Sequence, residues 1–394
     1  MGSPTSLIER PETRVDRIRR ERRENLGAFP HDPRLRWALR LGIALLIVLP
    51  AVVGAGSLAS VDTPNQQLLT HLGQVSWDRA DQRWIAEIFP PLSTLLAAAV
   101  SPLGRLGLSI VGALFAGVFL QKLLESMVQR RFPPSVGVVL LIALAVNPLF
   151  SYTANENLPA LMGLAFFALG IADVARFVSW GSTQSGFRAG ILFMLAVLSD
   201  GSAPLYVGVA ALTAPFLSLR REGQRGVRRA NLLVIVFPSV AALGSIVILN
   251  LIFLGRALAP EQDDALAGVP ERLSRLITLF GEPGGWLLLA SVGSAWLVSA
   301  IIRRPGALII STLVFAAILA AFILGMLTPN SAGNTFILMT VMATALIPAR
   351  QELSARILLL ALATLQILIA WASALYRPIL TEWIVAMNAA LGIS

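Results

Sequence analysis

Long apolar runs, interrupted at short intervals by arginines, dominate the chain. A helix needs about 20 consecutive apolar residues to cross the hydrocarbon core of a bilayer. Taken in order, the runs predict spans at about 38–58, 106–127, 135–152, 157–177, 187–200, 203–219, 231–254, 284–302, 306–327, 333–348 and 356–375. The expected fold class is therefore all-α: a polytopic membrane protein with about 11 transmembrane helices. Strand-like alternation, the mark of a membrane β-barrel, is missing from the pattern. The polar stretches divide the chain into a basic tail (1–36), a first transmembrane module (37–255) with a long loop at 59–104, a second loop (256–283), a C-terminal set of spans (284–375) and a short amphipathic tail (376–394).

Composition sharpens this picture. Hydrophobic residues make up 56% and charged residues only 13%, against about 25% in a soluble domain. The net charge of +9 does not indicate nucleic acid, because the 30 arginines and one lysine lie mostly in short loops between apolar runs. With the clusters Arg130–Arg131, Arg220–Arg229 and Arg303–Arg304 on one side, the positive-inside rule puts the N-terminus in the cytoplasm and the C-terminus outside. The tail, with ten arginines from Arg10 to Arg40, suits anionic lipid. Its length argues for an uncleaved first span rather than a signal peptide. The arginine and alanine bias suggests a GC-rich bacterial genome and hence the bacterial inner membrane. Cysteine is absent and only His31 and His71 are histidine. Disulfides, thiolate chemistry and a histidine metal cluster are thereby excluded.

The loop at 59–104 gathers polar groups that the rest of the chain avoids. Thr63-Pro64-Asn65-Gln66 has the order of a helix N-terminus: a capping threonine, proline at the first helical position, and glutamine three residues after the cap. A juxtamembrane helix should start at Pro64, with Leu68, Leu69 and Leu72 on one side. Trp77, Trp84, Ile85 and Ile88 recur at helical spacing and predict a second, interfacial helix over about 76–88. Phe89-Pro90-Pro91 should end it. Leu92–Leu103 is too short to span and is expected to dip into the interface or re-enter.

These residues, in this order, resemble the GT-C superfamily of integral-membrane glycosyltransferases, which use polyprenyl-phosphate-linked sugars. Asp62 stands where that family has its acidic motif after span 1. Pro90-Pro91-Leu92 is similar to its PPL segment. Asn147-Pro148-Leu149-Phe150-Ser151-Tyr152, followed by Asn155-Glu156-Asn157, is similar to the segment leaving span 3, with a second acidic residue before span 4. The likeness covers roughly residues 38–255. Asp62 is followed by Thr-Pro where the family often has a second acid nearby, Asp200 replaces a basic residue common between spans 5 and 6, and no large soluble C-terminal domain follows.

The resemblance implies an inverting transfer of a sugar from a polyprenyl-phosphate donor to a lipid, glycan or protein acceptor on the external face. Asp62 is then the general base that takes the acceptor hydroxyl proton; alternatively it only favours the N-terminus of the helix at Pro64. Glu156 is a second acid that orients the acceptor, or else a solvated loop carboxylate. Asp62 and Glu156 would hold Mg2+ or Mn2+ if the enzyme uses a divalent ion. Arg105 is a donor-phosphate clamp or a lipid-facing arginine, and Arg256 and Arg275 compete for the phosphate role. Asn157, His71 and Asp78 complete the substrate-binding set. Asp200 lines the cavity or caps span 6, and Asp173 pairs with Arg176 at i,i+3. The rivals from other classes are a flippase for a lipid-linked saccharide and a non-catalytic scaffold of an envelope-polysaccharide assembly.

Overall fold

The computed structural model describes residues 28–53, 62–77, 82–129, 137, 141, 144–145, 147–180, 183–217, 227–257, 267–301, 305–327, 353–376 and 378–390. Among them all regular secondary structure is helical. We number the helices α1 (Pro33–Val53), α2 (Pro64–Gln74), α3 (Trp84–Glu87), α4 (Pro91–Val100), α5 (Gly104–Gln129), α6 (Pro148–Glu156), α7 (Leu158–Trp180), α8 (Thr183–Ser199), α9 (Ala203–Leu217), α10 (Val227–Leu254), α11 (Val269–Gly281), α12 (Pro283–Ile301), α13 (Pro305–Ile323), α14 (Leu353–Leu375) and α15 (Pro378–Ala390).

Four of the described helical stretches are long and apolar enough to cross a membrane: α1, α4–α5 taken together, α10 and α12. A fifth counts if α6 and α7, bent by 115° at their junction, form one broken span. The predicted span at 333–348 lies outside the described residues. The membrane reading also has a surface signature. Leu45 and Leu46 on α1, and Phe237 and Ile252 on α10, are exposed. Apolar area of that kind needs a lipid or protein cover.

Helices α1, α5, α7, α8 and α10 form the middle of the bundle. Small residues set how closely they approach. A Cβ on Gly117 would lie 2.4 Å from the Arg40 carbonyl oxygen of α1, and one on Gly112 would lie 2.0 Å from the Ala154 carbonyl oxygen of α6. Both distances are impossible for a side chain, so these two helix crossings require glycine. The core between them is aromatic: Phe167 packs on Phe193 at 5.6 Å and on Tyr206 at 5.9 Å, and all three side chains are fully buried.

Two polar layers bracket this apolar core. At the C-terminal end of α5, Gln121 accepts hydrogen bonds from Arg40 and donates to the Phe29 carbonyl and to Glu125. Nearby, Asp173 accepts from Arg176 at i,i+3, as the spacing predicts, and also from Arg188. The second layer lies at the N-terminal end of α5, about 24 Å away along 16 residues of helix. It is formed around Arg105.

The loop departs from its sequence reading in one place. The predicted helix over 76–88 is not formed as one unit: α2 ends at Gln74, Val75 is extended, and only Trp84–Glu87 is helical, while residues 78–81 lie outside the described set. Trp77 instead donates to the Leu72 carbonyl and its ring meets Trp84 at 5.5 Å. That tertiary contact replaces the helical repeat. Residues 91–103 form α4 and a short 3-10 turn packed along α2, α5 and α8, with Ser93, Thr94 and Ala97 buried.

Candidate functional site

The site grows from a break in the helical path at Asn147. Its side chain accepts from the Leu149 backbone N–H at 2.9 Å, and Pro148 occupies the first helical position. Both features start a helix. Helix α6 then runs nine residues, all but Ser151 buried, and stops where the chain turns 115° into α7. Asn157 makes that turn. Its Oδ1 accepts from the Ala160 N–H at 3.2 Å, so its side chain caps α7.

Asn155 and Asn65 lock the bend in place. Asn155 donates to the Ile47 carbonyl of α1 and to Ser151, while its own carbonyl accepts from Asn65 and from Ser109 of α5. Asn65 also accepts the Leu158 N–H at 2.9 Å. Four helices are thus tied to one turn of backbone by side-chain amides and a hydroxyl.

Glu156 lies at the centre and is fully buried. Its Oε2 accepts from Arg105 Nε at 2.8 Å and from Thr63 Oγ1 at 3.1 Å. The Glu156–Arg105 pair has side-chain exposures of 1% and 15%, so it is a largely desolvated ion pair rather than a surface one. Thr63 was expected to cap α2 with its hydroxyl. It makes no such bond; its hydroxyl instead donates to the Glu156 carboxylate. Trp383 of α15 stands beside Glu156 and meets Tyr152 edge-to-face at 5.8 Å. Asp62, Arg105 and Glu156 are all close enough for their charges to act on Tyr152. Asp62 is exposed, and its Oδ2 accepts from Gln67 Nε2 at 3.1 Å.

The sequence-predicted residues thus divide. Asp62, Glu156, Arg105 and Asn157 come together at the N-terminal ends of α2, α5 and α7. Of these, Glu156 is not a solvated loop carboxylate and Arg105 is not lipid-facing, because each is the other's buried partner. Asn157 serves as a helix cap. His71 lies elsewhere: its Nε2 is 3.1 Å from the Glu87 carbonyl, about 10 Å up α2 from Pro64. Arg275 pairs with Glu271 on the exposed side of α11, and Arg256 follows the end of α10. Asp78 lies outside the described residues. Asp200 accepts from both the N–H and the hydroxyl of Ser202, just before the start of α9.

Tyr152, Asn65, Asn155, Ser109 and Trp383 belong to the site but were not singled out as site residues from sequence. Tyr152 and Asn155 flank the motif that pointed to Glu156, whereas Trp383 carries no local signal. A divalent cation fits the described residues poorly. They gather no set of three His, Asp or Glu side chains, and Arg105 already neutralises Glu156.

Compared with protein-family models, curated proteins and solved structures, the chain matches none.

Proposed function

We propose that this chain is a GT-C-type glycosyltransferase of the bacterial inner membrane, with eleven spans, a cytoplasmic N-terminus and an external C-terminus. The supporting observation is the convergence of Asp62, Arg105, Glu156, Tyr152 and Trp383 at one end of the bundle. An exposed carboxylate next to a buried, rigid set of polar and aromatic groups is what transfer between a lipid-linked donor and an external acceptor requires.

In this reading Asp62 accepts the proton of the acceptor hydroxyl as that oxygen attacks C1 of the donor sugar. The C1–O bond to phosphate breaks on the opposite face, with inversion, and polyprenyl phosphate leaves with the bonding pair. Glu156 and Arg105 hold α6 against α5, so that Tyr152 and the N-terminus of α2 keep a fixed distance. The basic tail holds anionic lipid on the cytoplasmic side.

The test uses purified protein in nanodiscs with a panel of radiolabelled polyprenyl-phosphate sugars and an envelope extract as acceptor source. The expected result is release of free polyprenyl phosphate from at least one donor. Movement of an intact lipid-linked saccharide between leaflets, with no release from any donor, would contradict the proposal in favour of a flippase.

A further inference from the structure

Helix α11 has three distinct sides. On the first, Leu276 is buried and Val269, Arg272, Leu279 and Phe280 are half-buried. On the second, Leu273 and Ile277 are 45% and 67% exposed. On the third, Glu271, Ser274, Arg275 and Thr278 are exposed. At about 100° per residue these sides follow one another around the helix in that order, without mixing. A helix between a protein core and water needs only two of them, one apolar and buried, one polar and exposed. A helix that spans lipid needs no polar side, and 13 residues reach only about 20 Å, short of the hydrocarbon core.

The neighbours of α11 fix where it lies. Only Glu282 separates it from α12, whose length and apolarity suit a membrane span. A Cβ on Gly285 would lie 2.0 Å from the Leu279 carbonyl oxygen, so the last turn of α11 sits directly against the first turn of α12. Arg272 Nη1 donates at 3.4 Å to the carbonyl of Ile323, the last residue of α13. Helix α11 therefore lies across the start of α12 and the end of α13, which pack on each other. Leu279 also packs against the cluster of Leu288, Tyr152 and Trp383, which puts α11 at the Glu156 end of the bundle. Trp286, 64% exposed in the first turn of α12, supplies an indole at this end, as membrane proteins do at headgroup depth.

We infer that α11 lies flat in the membrane interface, with Leu273 and Ile277 among lipid acyl chains and Glu271, Ser274, Arg275 and Thr278 facing water. The occupant of the apolar side is lipid, because that side belongs to a helix joined to the first turn of a span-length helix and is bordered by a polar side, as in an interfacial helix. The candidate site, which α11 meets through Leu279, is thereby held at headgroup depth. The inference rests on the membrane reading of α12 and is independent of the transferase reading.

The experiment is electron paramagnetic resonance on the full chain in phosphatidylcholine nanodiscs, with single nitroxide labels on Leu273→Cys, Ile277→Cys, Ser274→Cys and Thr278→Cys. The chain has no cysteine of its own, and all four positions are exposed, so labelling disturbs no packing. Collisions with oxygen, which concentrates in lipid, are compared with collisions with a water-soluble nickel chelate. The oxygen-to-nickel ratio should be higher at Leu273 and Ile277 than at Ser274 and Thr278. A label on Leu297→Cys, exposed further along α12, reports on the span itself. Free access of nickel to all four α11 positions overturns the inference. With Leu297 in lipid only the flat helix then falls, and with Leu297 in water the membrane reading of α12 falls with it. Low access of both reagents to Leu273 and Ile277 overturns it in favour of a protein partner. A high ratio at all four positions overturns it by immersing the whole helix.

Discussion

At the scale of single residues, the Glu156–Arg105 pair shows how a polar group is kept inside an apolar bundle. Removing one member of a buried pair leaves the other without compensation, at about 3–5 kcal/mol. Glu156→Met and Arg105→Met should each lower Tm strongly, while the double variant should lose less than either single change. A double variant no better than the sum of the singles would contradict the pairing. Asn157 makes the opposite prediction. As a helix cap, Asn157→Ala should cost about 1 kcal/mol and Asn157→Ser should restore it, with substrate KM unchanged in both. A raised KM at wild-type Tm would return Asn157 to the binding set. Asp62, Glu156 and Arg105 were legible in the sequence because charge is rare in this chain and these charges fall beside membrane-length apolar runs. Trp383 and Asn65 were not. Their importance comes from partners far away in sequence, Tyr152 and Leu158, which no local pattern records.

Among elements, the crossing of α5 with α6 matters most to the site. Gly112 lies two turns from Arg105 along α5, against the carbonyl of Ala154, which stands two residues before Glu156 in the facing helix. Gly112→Ala should push α6 away and break the Arg105–Glu156 bond, lowering both Tm and activity. Gly208→Ala on α9, where a Cβ meets nothing within 4 Å, should be silent and serves as the control. Helix positions were readable from apolar length, from Pro64 and from Phe89-Pro90-Pro91. The single helix read over 76–88 was misleading because two tryptophans at helical spacing pack equally well as a tertiary pair. The bend after α6 was readable only in outline. Asn-Pro marks the start of a helix, but the 115° turn is held by Asn65 reaching across from α2 and by Asn155 of α6 reaching to the Ile47 carbonyl of α1.

For the whole molecule, apolar content and arginine placement made an all-helical membrane protein legible before any coordinates. The proposed topology gives a direct test, since the chain has no cysteine. Gln82 and Gln184 are both exposed, the first between α2 and α3 and the second in the first turn of α8. With membrane-impermeant maleimide, Gln82→Cys should be labelled in intact spheroplasts and Gln184→Cys only after permeabilisation. Labelling of both from the same side would refute the alternation of spans between them. The two polar layers fit this arrangement, with the arginine-rich layer of Arg40, Arg176 and Arg188 facing the cytoplasm and the Glu156 layer facing outward.

The most direct measurement compares wild type with Asp62→Asn for polyprenyl-phosphate release in nanodiscs, using the donor identified from the panel. Asp62 is exposed and its described side-chain hydrogen bond is to Gln67, so the change should leave the stability within about 0.5 kcal/mol of wild type. General-base loss should lower the release rate by about 10²–10⁴-fold. Release at the wild-type rate by correctly folded Asp62→Asn would contradict the account.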